Sequence, residues 1–497
     1  MRFSAQSLAV ILCLSAQIGV AQNAPLSAID WLDEKNAPAD ASEHTDPDPI
    51  VETEIQVVPL EDISRNSVGL LPAHVTGLPS HMWRESQSNA LETLLNEFPA
   101  EHNPVIHSIL FNLLLTEADA PVEDQRTHAF LKARIRKLID LGAVDAAYAM
   151  LERAAPLPPS LVPLLFELSL YDASIEPACD PVLALGPNYP DTAARIYCLA
   201  RRGDWLTATL VLDATEALGE FTGRTAALLH IYLETETEDE IDANLPPNLR
   251  VSALDYRLYD AIGLPLTPDL LPRAFAVSDL SGDNGWRAQL IAAERLAQTG
   301  AIGDNRFLGI YSANAPSASG GVWDRVAAFQ TFEIALQTDA DVTAALDQAW
   351  SKFYATDLVR TFANIFAEDV VNTGLTTPAA MDVILMSNRY DAAPKTNDFR
   401  TFVAHGVMPV TPPLPPMERA VYDAFLEPRI PFVVERMVAQ GRLGEAILAT
   451  LIQLDKGSAG DVRDLHESLS TLRLIGLEDL ARRAAIYAIS KGALIHE

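Results

Sequence analysis

Apolar residues recur at three- and four-residue steps over 105–115, 129–141, 144–155 and 161–171. That is the period of an amphipathic helix, whereas a half-buried strand alternates every second residue. Further helices are predicted over 287–298 and 323–336, and in VTAALDQAW behind Asp339 and Asp341, both good N-cap residues. One more is expected to begin at Ser80 or His81, and the stretch LEDLARRAAIYAIS is expected to close the chain as its final helix. Ala and Leu dominate and long alternating runs are missing, so the expected fold class is all-α.

A turn recurs within this pattern. Around Gly142 stand Leu138 four residues before, Val144 two after and Ala147 five after, followed by Leu151, Ala154 and Pro159. Leu199, Gly203, Trp205, Ala208 and Leu212 fall at the same intervals, as do Met437, Gly441, Leu443 and Ala446, and then Leu472, Gly476 and Ala481. Glycine turns the chain without a Cβ penalty, alanine at the closest approach lets two helices pack tightly, and Pro159 is expected to stop the second helix. The spacing resembles the second half of the tetratricopeptide repeat, which implies stacked helical hairpins that bind other molecules. Gly441 and Gly476 are 35 residues apart, close to that family's period, whereas Gly142 and Gly203 are 61 apart. The expected architecture is therefore an irregular helical-hairpin solenoid, tetratricopeptide-like, an α-α superhelix with inserted loops.

The ends and interruptions divide the chain. Residues 1–21 read as a secretory signal, with Arg2 in the positive region, an apolar stretch over 8–20 and the small-residue site Gly19-Val20-Ala21. Cys13 lies within the apolar stretch, so a lipoprotein signal is not expected; a retained N-terminal anchor is the competing reading. Residues 22–66 are acidic and rich in Pro and Ala, as in a disordered linker, although 55–60 could pair as an edge strand. The main helical-repeat domain is expected over 67–407, a Pro-rich connector over 408–417 (MPVTPPLPPM) and C-terminal hairpins over 418–497. The segment with GLLP, TGLP and Trp83 is expected to cap the first helices; it resembles a segment of secreted alphaproteobacterial proteins, and the resemblance carries no activity with it.

A formal net charge of -31 opposes a phosphate backbone or an anionic lipid surface, so no nucleic acid partner is expected. The basic run 132–137 has helical spacing and reads as a solvated helix face. Removal of the signal leaves Cys179 and Cys198, which in an oxidising compartment are expected to form a disulfide. No later segment offers a membrane span.

Local signatures of catalysis are missing: there is no Walker loop, GxSxG, HExxH or strand-linked GxGxxG. Asp279, Ser281 and Asp283 imitate the start of a calcium loop, but Asn284 and Leu290 stand where it needs Gly and Glu. Arg84-Glu85-Ser86 resembles the catalytic Glu-Ser of lytic transglycosylases without the downstream segment of that family, so Glu85 reads as an early-helix charge. His102, His107 and His128 read as unrelated histidines. No catalytic residue, cofactor or metal is expected. The expected function is that of a non-enzymatic, periplasmic or secreted scaffold or adaptor binding a protein or peptide of the cell envelope, with Trp205 and Tyr256 as candidate binding anchors. The alternative is an envelope hydrolase or a substrate-binding accessory protein of cell-wall metabolism, with its site between Leu266 and Trp323.

Overall fold

The computed structural model describes residues 67–494 apart from 100, 102, 125–127, 173–174, 220, 235–249, 268–269, 281–283, 339, 388, 394–397 and 409–413. The expected signal, linker and edge strand, together with His102, Ser281, Asp283 and Asp339, lie outside the described residues. Within them the chain is all-α: 24 α-helices joined by turns and short 3-10 segments, with one isolated bridge between Leu71 and Thr116 and no strand.

Neighbouring helices pack in pairs, as in Ala129–Leu141 with Val144–Arg153, Thr192–Arg201 with Trp205–Ala217, Val322–Ala335 with Val342–Tyr354, and Leu443–Ser458 with Val462–Leu474. Asp341 caps its helix as expected, its side chain accepting from the Ala344 amide. The helix expected from Ser80 or His81 instead begins at Ser88, because residues 80–86 are folded into tight turns. Pro159 likewise stops nothing: the preceding helix ends at Arg153, and Pro159 opens a 3-10 turn, where its fixed φ suits a first position.

All four recurrent turns close in the same way. The glycines Gly142, Gly203, Gly441 and Gly476 have φ between 77° and 88°, a left-handed conformation that penalises any Cβ. Each glycine amide donates three residues back, and the next amide donates five back, as in Gly142 to Ile139 and Ala143 to Leu138. These bonds satisfy carbonyls that the helix end would otherwise orphan. The alanines five positions on (Ala147, Ala208, Ala446 and Ala481) are fully buried, so nothing larger fits between the paired helices. Gly263, Gly300, Gly406 and Gly460 carry the same two bonds without alanine at that offset. Asp357 fills the same role at φ 55°, a strained setting for a non-glycine residue.

The described residues belong to one compact unit, and within it early and late helices meet. Ser88–Glu97 packs on Leu443–Ser458, the Gly444 amide donates to Met82, and a Cβ on Gly444 would stand 2.4 Å from the buried Trp83 ring. Asn103 donates through its amide to Asp455 at 2.7 Å and through its side chain to Ser458 at 2.8 Å. The segment before the first helices docks at the end of His107–Leu115: the Leu70 and Leu71 amides donate to the Leu115 carbonyl, and the Glu117 amide donates to that of Leu71.

The basic run 132–137 departs from its expected solvated face. Arg134 is 2% exposed and donates to the carbonyls of Leu114, Val68 and Thr116, while buried Lys137 donates to that of Phe98. These cations serve the carbonyl ends of two other helices, where positive charge is favoured, and burial lowers the pKa of both. Among the described residues no helix is long and apolar enough to cross a membrane.

Candidate functional site

The Gly203 hairpin carries the most unusual surface. Asp204 caps the Trp205–Ala217 helix by accepting from the Thr207 amide, and Ala208 and Leu212 bury its inner face. A repeat helix ordinarily turns polar residues outward. Here Leu206, 83% exposed, Leu210, 65% exposed, and the exposed Ala214 and Ala217 form a stripe at helical spacing opposite the buried face, with exposed Asp213 the one charge within it. Leu218 extends it, and Trp205 at 45% exposure flanks it. The Trp205 ring lies 5.7 Å from that of Tyr232, which lies 5.8 Å from Tyr197, itself 6.2 Å from Phe166. This aromatic series runs inward from the surface.

Cys179 and Cys198 form the expected disulfide, with sulfurs 2.15 Å apart. It ties the start of Cys179–Leu185 to the middle of Thr192–Arg201 and so holds the intervening loop, on which Tyr189 sits. Tyr189 lines a cavity of about 530 Å³ together with Phe166, Glu167, Tyr171, Asp191 and Phe221, the last being three residues beyond Leu218. Arg136 pairs with Glu167 at 2.5 Å, and the Tyr171 hydroxyl donates to the other Glu167 oxygen at 3.1 Å. Burial, reinforced by nearby carboxylates, pushes the Tyr171 and Tyr189 phenols well up, so both keep their protons.

A second opening, of about 760 Å³, lies among later helices and is lined by Trp350, Tyr354, Asp382, Asp398, Arg400 and Glu418. Arg400 is bound to both Asp382 and Asp398, and the Trp350 ring N–H donates to Asp382 at 3.2 Å. Burial raises the Asp382 pKa against the opposing effect of Arg400, and raises that of Glu418 with help from Asp398. Burial likewise pushes the Tyr354 phenol up to about 12. No local motif announces this cleft, because its residues come from segments up to 143 positions apart, from Asp347 to Ser490.

The remaining candidates are dispersed. The Tyr256 hydroxyl is 2.8 Å from that of Ser278 and its ring packs 5.0 Å from Phe275, so it is held inside the fold while Trp205 faces outward. Glu85 is exposed but precedes the helix at Ser88, in a turn against Gly441, and is therefore no early-helix charge. In the region between Leu266 and Trp323, Glu294 is buried and bound to Tyr311 and Arg325, a closed internal network. His107 is buried, His128 has φ 54°, and among the described residues no group of acidic, histidine and cysteine side chains could hold a metal ion. Comparison of the chain with family models, curated proteins and solved structures finds no match.

Proposed function

We propose that this chain is a non-enzymatic helical-repeat scaffold or adaptor, periplasmic or secreted, that binds another cell-envelope component through the outer face of Trp205–Ala217. The supporting observation is the outward stripe of Leu206 and Leu210 on a helix whose other face already fills the core. Large exposed leucines grouped on one helix face, here bordered by Asp213, are costly to keep in water, and such groups mark interaction sites. With a formal net charge of -31 on each copy, self-association is opposed and a partner bearing positive charge is favoured. The test is in-cell crosslinking followed by purification of the wild type and of Leu206→Glu/Leu210→Glu. The reading requires a reproducible partner that the double variant loses while keeping its melting midpoint. Equal recovery with both proteins, or recovery of no partner with either, sinks it.

The alternative, an envelope hydrolase or substrate-binding accessory protein, draws its support from the cleft around Arg400, where Asp382 and Glu418 hold their protons more firmly than ordinary carboxylates. A carboxyl group so held can serve as a general acid. Release of soluble fragments from purified cell-wall material, abolished in Glu418→Gln, would establish that reading over the scaffold.

A further inference from the structure

We infer that the cavity beside the disulfide is a receptor for an arginine side chain of a bound polypeptide, with the Tyr189 hydroxyl and the Asp191 carboxylate receiving the guanidinium.

Four observations carry this. The cavity, about 530 Å³, suits a side chain with some of its backbone, and its walls include the rings of Phe166, Tyr171, Tyr189, Phe221 and Phe275. Planar guanidinium groups stack on such rings and are attracted by their faces. Tyr189 is 4% exposed, and among the described residues no hydrogen bond engages its hydroxyl, which opens onto solvent rather than lying orphaned in the core. That hydroxyl therefore presents an unused acceptor at the cavity.

Charge then selects the ligand. Glu167, Asp191 and Asp255 line the cavity against a single cation, Arg136, whose charge is engaged by Glu167. The two helix N-termini at the wall, which would attract an anion if open, are already capped from within. Asp191 accepts from the amides of Ala193 and Ala194, and Ser252 with Asp255 forms a reciprocal cap. Asp255 is further occupied by the Thr225 hydroxyl at 2.7 Å, whereas one Asp191 oxygen accepts no hydrogen bond from the described residues. A negative, ring-walled cavity with unused acceptors and no open anion site fits a guanidinium.

This deepens the scaffold reading by naming the side chain a partner would insert beside the Leu206 stripe, since Phe221 follows Leu218 closely in the chain. Its test is independent of that stripe. The full secreted chain is titrated with the tripeptide acetyl-Ala-Arg-Ala-amide, with the uncharged citrulline analogue and with free L-arginine, and binding is followed by saturation-transfer NMR. The arginine tripeptide should bind at least about tenfold more tightly than the citrulline one, as expected for hydrogen bonds to a charged group. Tyr189→Phe, which removes one oxygen and keeps the ring, should weaken it by about tenfold, and Asp191→Asn, which retains a capping side chain, should do so too. Leu206→Glu/Leu210→Glu should leave tripeptide binding unchanged while losing the crosslinked partner, so that failure of the stripe and failure of the cavity are separately visible. Equal binding of the arginine and citrulline tripeptides, or no binding by the wild type, overturns the inference without any variant. Unchanged affinity in a folded Tyr189→Phe protein overturns the assigned acceptor, and free L-arginine binding as tightly as the tripeptide overturns the polypeptide source.

Discussion

The hairpins at Gly142 and Gly203 share one turn, one set of capping bonds and one buried alanine, yet their surroundings are opposite. Over Gly142 the later chain has closed: a Cβ there would stand 2.4 Å from Leu296 and 3.1 Å from Arg273, and the Thr299 hydroxyl donates to the Leu141 carbonyl at 2.6 Å. Over Gly203 nothing lies within 4 Å of such an atom. Two residues on, Val144 is buried whereas Trp205 is half exposed, and the next position holds solvated Asp145 in one hairpin and bare Leu206 in the other. The cations differ too. Arg134 and Lys137 are buried on carbonyls, while Arg201 stays at the surface with Glu176 at 2.8 Å. The same local motif is thus a structural joint where later helices cover it, and an open surface where they do not.

That contrast can be broken by substitution. The largest effect is expected at Arg134→Met, which strips three buried carbonyls of their donor and should cost about 3 to 5 kcal/mol in urea unfolding. Arg201→Met should change stability by less than about 0.5 kcal/mol, because exposed ion pairs contribute little. Equal costs would erase the distinction between the hairpins. Opening the disulfide should remove about 3 kcal/mol by freeing a loop of 19 residues' separation in the unfolded chain, and the denatured, unreduced protein should take up no alkylating label at Cys179 or Cys198. Gly142→Ala combines left-handed strain with overlap against Leu296 and should cost about 2 to 3 kcal/mol, whereas Gly203→Ala carries strain alone, about 1 kcal/mol. Similar melting midpoints for these two variants would show that the cover over Gly142 is soft. Smallest of all, Leu206→Glu should leave stability within about 0.5 kcal/mol, since its side chain meets water; a larger loss would mean that the stripe is packed in solution.

Much of the helix pattern could be read directly. The helix Ala129–Leu141 falls where its periodicity placed it, and the four glycine caps and the Cys179–Cys198 bond follow from residue type and spacing. Gly263, Gly300, Gly406 and Gly460 make the same cap bonds with no alanine five positions on, so a pattern that includes that alanine misses them. Two glycine-cap bonds need only the glycine, whereas the alanine reports how closely the next helix packs.

What the sequence determined by itself is local: helical period, turn chemistry and the identity of the capping groups all act within about five residues, where backbone geometry leaves few alternatives. The burial of Arg134, the seating of Trp83 against Gly444, the cover over Gly142 and the bareness of Leu206 were decided by tertiary structure alone. Each depends on which distant helix arrives at a given face, and the three- and four-residue period marks an apolar face without naming what will cover it.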